Sequence, residues 1–206
     1  MDWKTFYDNY ESYEQDELVQ KFMNLSDFGP AKQVVEVLDE VDDSEDIRTI
    51  VLKAAEKGAF DSVEAIEELE MSVSDEVLNY VIGKFAEGRK LSVDDLEKLG
   101  DMASEKKFSE ILEEQLDMGV AYTAEEIETL EEYLNNDELL IRLIEEVKAP
   151  LSIDDIENLD FLLPSGEHID DVLAGRGDLA GALLEWEKEN NMDGDFDDSD
   201  DIDGDY

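Results

Sequence analysis

The chain has no cysteine and only one histidine in 206 residues. The first absence excludes a disulfide-stapled fold and thiolate zinc sites. The second excludes a multi-histidine metal centre. No window approaches the run of about 18 apolar residues that spans a bilayer. The opening Met1-Asp2-Trp3-Lys4 is not a basic stretch followed by an apolar one, so no signal peptide is expected and the cytoplasm is the expected location. Base is scarce too: 16 Lys and Arg stand against 60 Asp and Glu, for a formal net charge of −44. Such a surface repels nucleic acid and anionic membranes, and it attracts basic proteins or divalent cations.

Catalytic signatures are equally sparse. There is no phosphate-cradling Gly-rich loop and no Gly-x-Ser-x-Gly elbow. His168 lies near Ser165, Asp170 and Asp171 but reads as a surface or turn residue. Carboxylates occur everywhere, so none stands out as an acid/base pair with a distinct environment. The segment from Asn191 to Tyr206 holds eight Asp. Read as a calcium loop from Asn191, it has Phe196 and Ile202 where the EF-hand form needs Gly and Glu, so only weak cation condensation is expected. Arg176-Gly177-Asp178 is taken as a chance tripeptide. No enzyme activity, cofactor or metal is expected.

What is present is a core-building 42% of hydrophobic residues and a repeat. The pattern Ser/Thr, apolar, acid, any, Ile/Leu, Glu, any, Leu begins at Ser62, Ser92, Thr123 and Ser152, at spacings of 30, 31 and 29 residues. A weaker copy begins at Pro30, with Val34 and Val37 in the apolar places. Ser or Thr is a helix N-cap. Glu126, three residues after Thr123, completes a capping box, with Asp95 and Asp155 as shorter versions, and Pro30 suits a helix start. Val41, Val73, Ala103, Leu134 and Leu163 extend the same face. A second helix follows in each copy, with its apolar triplet at Ile47/Ile50/Val51, Val77/Tyr80/Val81, Phe108/Ile111/Leu112, Leu140/Leu143/Ile144 and Ile169/Val172/Leu173, spaced 30, 31, 32 and 29.

Two helices recurring in step predict an all-α fold: a right-handed stack of about five helical hairpins, an α-solenoid, over residues 28–175. In architecture alone it resembles HEAT and tetratricopeptide arrays. The repeat is shorter than theirs, and the tetratricopeptide Trp/Gly/Tyr/Pro signature is missing. Residues 1–27, with Trp3, Phe6, Tyr7, Tyr10 and Tyr13 on one stripe, predict an N-terminal aromatic capping helix. Gly175 and Gly177 break the fifth copy. A C-terminal capping helix over 176–190 turns Leu179, Leu183 and Trp186 inward, and 191–206 is expected to be a disordered acidic tail.

The acidity is not confined to that tail: without it the chain still has 52 acids against 16 bases. Acids in a first turn favour the helix dipole, which accounts for Glu64, Asp94, Asp95, Glu125 and Asp154. Lys57, Arg89, Lys90 and Lys148, near the ends of second helices, partly neutralise that edge. At the opposite edge, where each hairpin turns, residues 39–46, 67–76, 128–138 and 157–171 contain no Lys or Arg. The third copy alone is balanced, by Lys98, Lys106 and Lys107. Two patches of partner-binding residues are therefore expected. One comprises Asp42, Asp43, Glu45, Asp46, Glu70, Asp75 and Glu76. The other comprises Glu131, Glu132, Asp137, Glu138, Asp170 and Asp171.

Helices about 8–10 Å apart carrying carboxylates about 6 Å apart along each make rows of charge on the scale of duplex phosphates. The surface resembles those of acidic helical inhibitors from phages and mobile elements. That resemblance implies a nucleic-acid mimic that blocks a basic nucleic-acid-binding protein. The alternative is a solenoid adaptor, chaperone or immunity-type protein for a basic partner, which needs apolar anchors beside the charge. Adaptation to salt is a third account of the acidity.

Overall fold

The computed structural model describes residues 1–192. Asn191 and Met192 end the last helix; the rest of the expected tail, from 193 onward, lies outside the described residues. The chain is all-α, and the described residues contain no β-strand. It divides into two compact units, one of residues 1–120 with 132–136, the other of 121–131 with the described residues from 137 onward.

The first unit contains α1 (Trp3–Tyr7), α2 (Gln15–Met23), α3 (Ala31–Leu38), α4 (Ser44–Glu56), α5 (Val63–Glu67), α6 (Asp75–Ala86), α7 (Val93–Met102) and α8 (Glu105–Asp117). Helices α3, α5 and α7 pack on α4, α6 and α8 respectively. Along the chain, α3 meets α5 and α5 meets α7, while α2, α4, α6 and α8 form a second succession. The second unit contains α9 (Ala124–Glu131), α10 (Asp137–Glu145), α11 (Ile153–Leu162), α12 (Ile169–Val172) and α13 (Ala180–Met192). Here α9 packs on α10 and α11, and α11 packs on α12 and α13. Packing between successive neighbours within each unit is compatible with a helical-repeat architecture.

Ile66 and Leu96 in the first unit, and Ile127 and Ile156 in the second, are fully buried at matching positions of the repeat. Each such burial stabilises by about 1.5–3 kcal/mol. The caps form as the sequence predicts. Ser62 and Ser92 accept the backbone N–H three residues on, at 3.2 and 3.1 Å. Thr123 and Glu126 exchange bonds reciprocally at 2.7 and 3.3 Å, as Ser152 and Asp155 do at 2.8 and 3.1 Å. The Asp95 carboxylate accepts from the Ser92 hydroxyl at 2.7 Å, as Asp155 does from that of Ser152.

Three expectations are corrected. The N-terminal aromatic segment is two α-helices with a short 3-10 helix, Tyr10–Ser12, between them, not one helix. Asn9 bonds back to the Thr5 carbonyl at 2.8 Å and Ser12 to that of Asn9 at 2.7 Å, local bonds that compete with helix continuation. Trp3 and Phe6 are buried, while Tyr7, Tyr10 and Tyr13 are half-buried. Val73, Ala103, Leu134 and Leu163 lie beyond the ends of their first helices and are only half-buried; Val41 alone of that set is buried. In the second-helix triplets Tyr80 is exposed, and Leu78 and Ile82 fill the core beside Val77 and Val81.

Two further devices fasten the hairpins, the first of them periodic. Gly58, Gly88 and Gly119 follow α4, α6 and α8 in the left-handed conformation, at φ +76°, +68° and +72°. There they close the helix ends, with Ala59 N–H on the Ala54 carbonyl and Val120 N–H on that of Gln115, both at 3.0 Å. Gln115 in α8 is the one buried polar side chain among the described residues. It accepts from Leu91 N–H at 2.9 Å and donates to the Arg89 carbonyl at 2.8 Å, holding the connection after α6.

Candidate partner-binding edge

The hairpin turns carry the expected acids at the surface. Asp42, Asp43, Glu45, Glu70, Asp75 and Glu76 of the first patch are exposed and Asp46 is half-buried; all seven belong to the first unit. Of the second patch, Glu132 falls in the first unit, and Glu131, Asp137, Glu138, Asp170 and Asp171 fall in the second. Glu131 is half-buried and the others are exposed.

Helix geometry separates these acids by position. Glu45 and Asp46 open α4, Asp75 and Glu76 open α6, Asp137 and Glu138 open α10, and Asp170 and Asp171 open α12. Asp43 caps α4, accepting from Glu45 and Asp46 N–H at 2.9 and 3.1 Å. A carboxylate at a helix start is stabilising, so these nine have a structural reason to be acidic. Asp42, Glu70 and Glu132 lie in the turns between helices, and Glu131 belongs to another kind, acids at the ends of first helices. Asp39 and Glu68 are the C-caps of α3 and α5, and Glu131 is the last residue of α9. No first helix, α3, α5, α7, α9 or α11, has a base in its last turn. Of the second helices, α4, α6 and α10 have Lys53, Lys84 and Arg142 there, while α8 and α12 have none. At first-helix ends the charge therefore opposes the dipole, repeatedly.

Bases enter the edge less simply than the residue order implies. Arg48 in α4 reaches Glu45 at 3.3 Å and Glu76 at 3.5 Å, so the first patch holds one cation. Lys98, counted above with the third turn, instead reaches Glu64 at 3.1 Å in the first turn of α5. Glu64 is held below the usual carboxylate range by a backbone N–H and by this ammonium. Lys106 and Lys107 pair with Glu110, one turn further along α8.

Two apolar side chains stand among the acids. The surface position five residues after the buried Ile/Leu of each first helix is Asp39, Met71, Asp101, Glu132 or Phe161, every one exposed. Met71 is 94% and Phe161 89% exposed. Apolar spacing singles out neither, because both fall off the buried stripe of their repeat.

Other singled-out residues have plain structural roles. Arg176 grips the Asp178 carboxylate at 3.0 and 2.8 Å and donates to the Glu145 carbonyl at 2.7 Å. The guanidinium holds the Asp178 pKa down. His168 is exposed and precedes α12. Among the described residues no His/Asp/Glu cluster is arranged to hold a metal ion, and no helix is long and apolar enough to cross a membrane. Comparison with protein-family models and with curated proteins finds no match for this chain.

Proposed function

We propose that this chain is a non-catalytic binding module whose acidic turn edge docks on a basic protein and, in the manner of nucleic acid, blocks that protein's own nucleic-acid site. The observation that carries the reading is the repeated placement of acids at first-helix ends without a base in the last turn. Helix stability favours the reverse arrangement by about 0.3–1 kcal/mol per site. A cost borne in copy after copy calls for a use at the surface, and electrostatic capture of a basic groove supplies one. A second reading, an adaptor or chaperone for a basic protein, is favoured by the exposure of Met71 and Phe161 among the acids, because adaptors need apolar anchors.

Capture from a host lysate at low salt, with the neutralised edge D42N/D43N/D75N/E76Q and an equal charge loss from the tail as comparators, tests both readings. Loss of capture by the edge variant alone, with displacement of the captured protein by duplex DNA, supports mimicry. Edge-dependent capture that DNA does not displace supports the adaptor. Equal loss in both variants leaves net charge as the cause and refutes a patterned edge.

A further inference from the structure

Within the first unit, the start of α4 and the turn between α5 and α6 enclose a surface cavity of about 380 Å³. Its walls include Ile47 and Val73, both half-buried, and the buried Val77. Met71 lines it while remaining 94% exposed. Glu45 and Arg48 complete the lining that matters here, and Asp42, Asp43, Glu70 and Asp75 flank it along the chain. Arg48 is held loosely. Its distances of 3.3 and 3.5 Å exceed the roughly 2.7–2.9 Å of a strong charge-assisted bond, and its side chain is 42% exposed.

Resting on the reading of this edge as a docking surface for a basic protein, we propose that the cavity receives one large apolar side chain, such as leucine or phenylalanine, from a Lys/Arg-rich segment of that partner. The cavity is at the small end of binding pockets, which run about 300–1,000 Å³, and has room for a large apolar side chain together with the backbone that carries it. Methionine at its mouth is unbranched and polarisable and adapts to the shape of an inserted group. The acids around it select what carries the anchor. A second copy of a chain with a net charge of −44 is repelled, whereas flanking lysines or arginines pair with the carboxylates that Arg48 only partly satisfies. An anchor seated in a pocket and rimmed by contacts that exclude water is the usual anatomy of a binding hot spot, and the surrounding charge steers the basic segment towards it.

The test uses the whole chain and two short Lys/Arg-rich peptides, identical except for a central Leu or Ser, followed by fluorescence anisotropy. The Leu peptide is expected to bind about tenfold more tightly or better, the effect of burying one such side chain. Met71→Ser and Val73→Ser should each shrink that ratio towards one while leaving the Ser peptide unaffected. Phe161→Ser, in the other unit, should leave the ratio intact. Equal, steeply salt-dependent binding of both peptides overturns the cavity assignment and leaves the acidic edge standing. If neither peptide binds at low salt, the edge reading falls as well. A dimer of the chain alone in sedimentation equilibrium, lost on Met71→Ser, puts a second copy in the cavity and also overturns the proposal.

Discussion

Two triple variants with the same change in net charge separate helix-end electrostatics from general self-repulsion. Asp39→Asn, Glu68→Gln and Glu131→Gln remove acids from the ends of α3, α5 and α9. Asp46→Asn, Asp75→Asn and Asp137→Asn remove acids from the first turns of α4, α6 and α10. Neither set touches a carboxylate used as a side-chain cap. Each helix-end charge is worth about 0.3–1 kcal/mol, unfavourable at the C-terminus and favourable at the N-terminus. The first set should therefore stabilise by about 1–3 kcal/mol and the second destabilise by a similar amount. At about 2–4 °C per kcal/mol for a chain of this size, the melting temperatures should diverge in opposite directions, by about 2–12 °C each. Thermal unfolding followed by circular dichroism at low ionic strength reads this directly. The gap should narrow in high salt, where exposed charges are screened. If both variants rise together, the acids act only through net charge, and no cost is built into the first-helix ends.

Three further outcomes follow from particular contacts. Tyr7 donates to the Glu36 carboxylate. That bond, with burial, pushes its pKa up to about 12. The raised pKa means the contribution of this pair is complete below the ordinary tyrosine value of about 10 and is lost as pH climbs through 12. Burial also raises the pKa values of Tyr10, Tyr122 and Tyr133, so the absorbance titration is read as a difference: Glu36→Gln should move one late tyrosine towards 10 and leave the rest late, and a curve unchanged from the native chain removes the bond. Gln115→Leu strands Leu91 N–H and the Arg89 carbonyl and should destabilise by about 2–4 kcal/mol, with faster hydrogen exchange at Leu91 as the local sign. A methyl group on Gly100 would come within 2.6 Å of the Tyr133 ring. Gly100→Ala should therefore cost about 1–3 kcal/mol of overpacking, and a melting temperature equal to that of the native chain refutes the close approach.

The hairpins were legible because one period is written twice, once in the N-caps and once in the second-helix triplets. The four residues of the Ile66 register are buried where that period puts them. The ends of the first helices were not legible. Val73 and Leu134 continue the apolar spacing, yet the chain has already turned before them, since periodicity marks a face and not where the helix stops. Tyr80 satisfied the apolar pattern while standing at the surface, which an amphipathic phenol can do. The aromatic N-terminus read as one stripe because Asn9 and Ser12 act through local backbone bonds that hydrophobic spacing does not register. Of the candidate site, the acids were countable in advance. Which of them work with the dipole and which against it depends on helix ends, and so needed coordinates. The spacing of Gly58, Gly88 and Gly119, 30 and 31 residues, was a signal in plain view.

Those glycines have a consequence for how the chain can change length. Gly58 and Gly88 each end a second helix in the same backbone conformation, and each is followed four residues later by the serine cap of the next first helix, Ser62 or Ser92. Excising residues 59–88 would join Gly58 to Arg89 and restore that same interval, removing one hairpin in register, with the α4 closure through Lys57 taking the place of the more extended α6 closure through Glu87. Duplicating the segment would add one by the same seam. The array is thus open to growth and shortening in whole hairpins, and with each step the acidic edge lengthens or contracts by one turn.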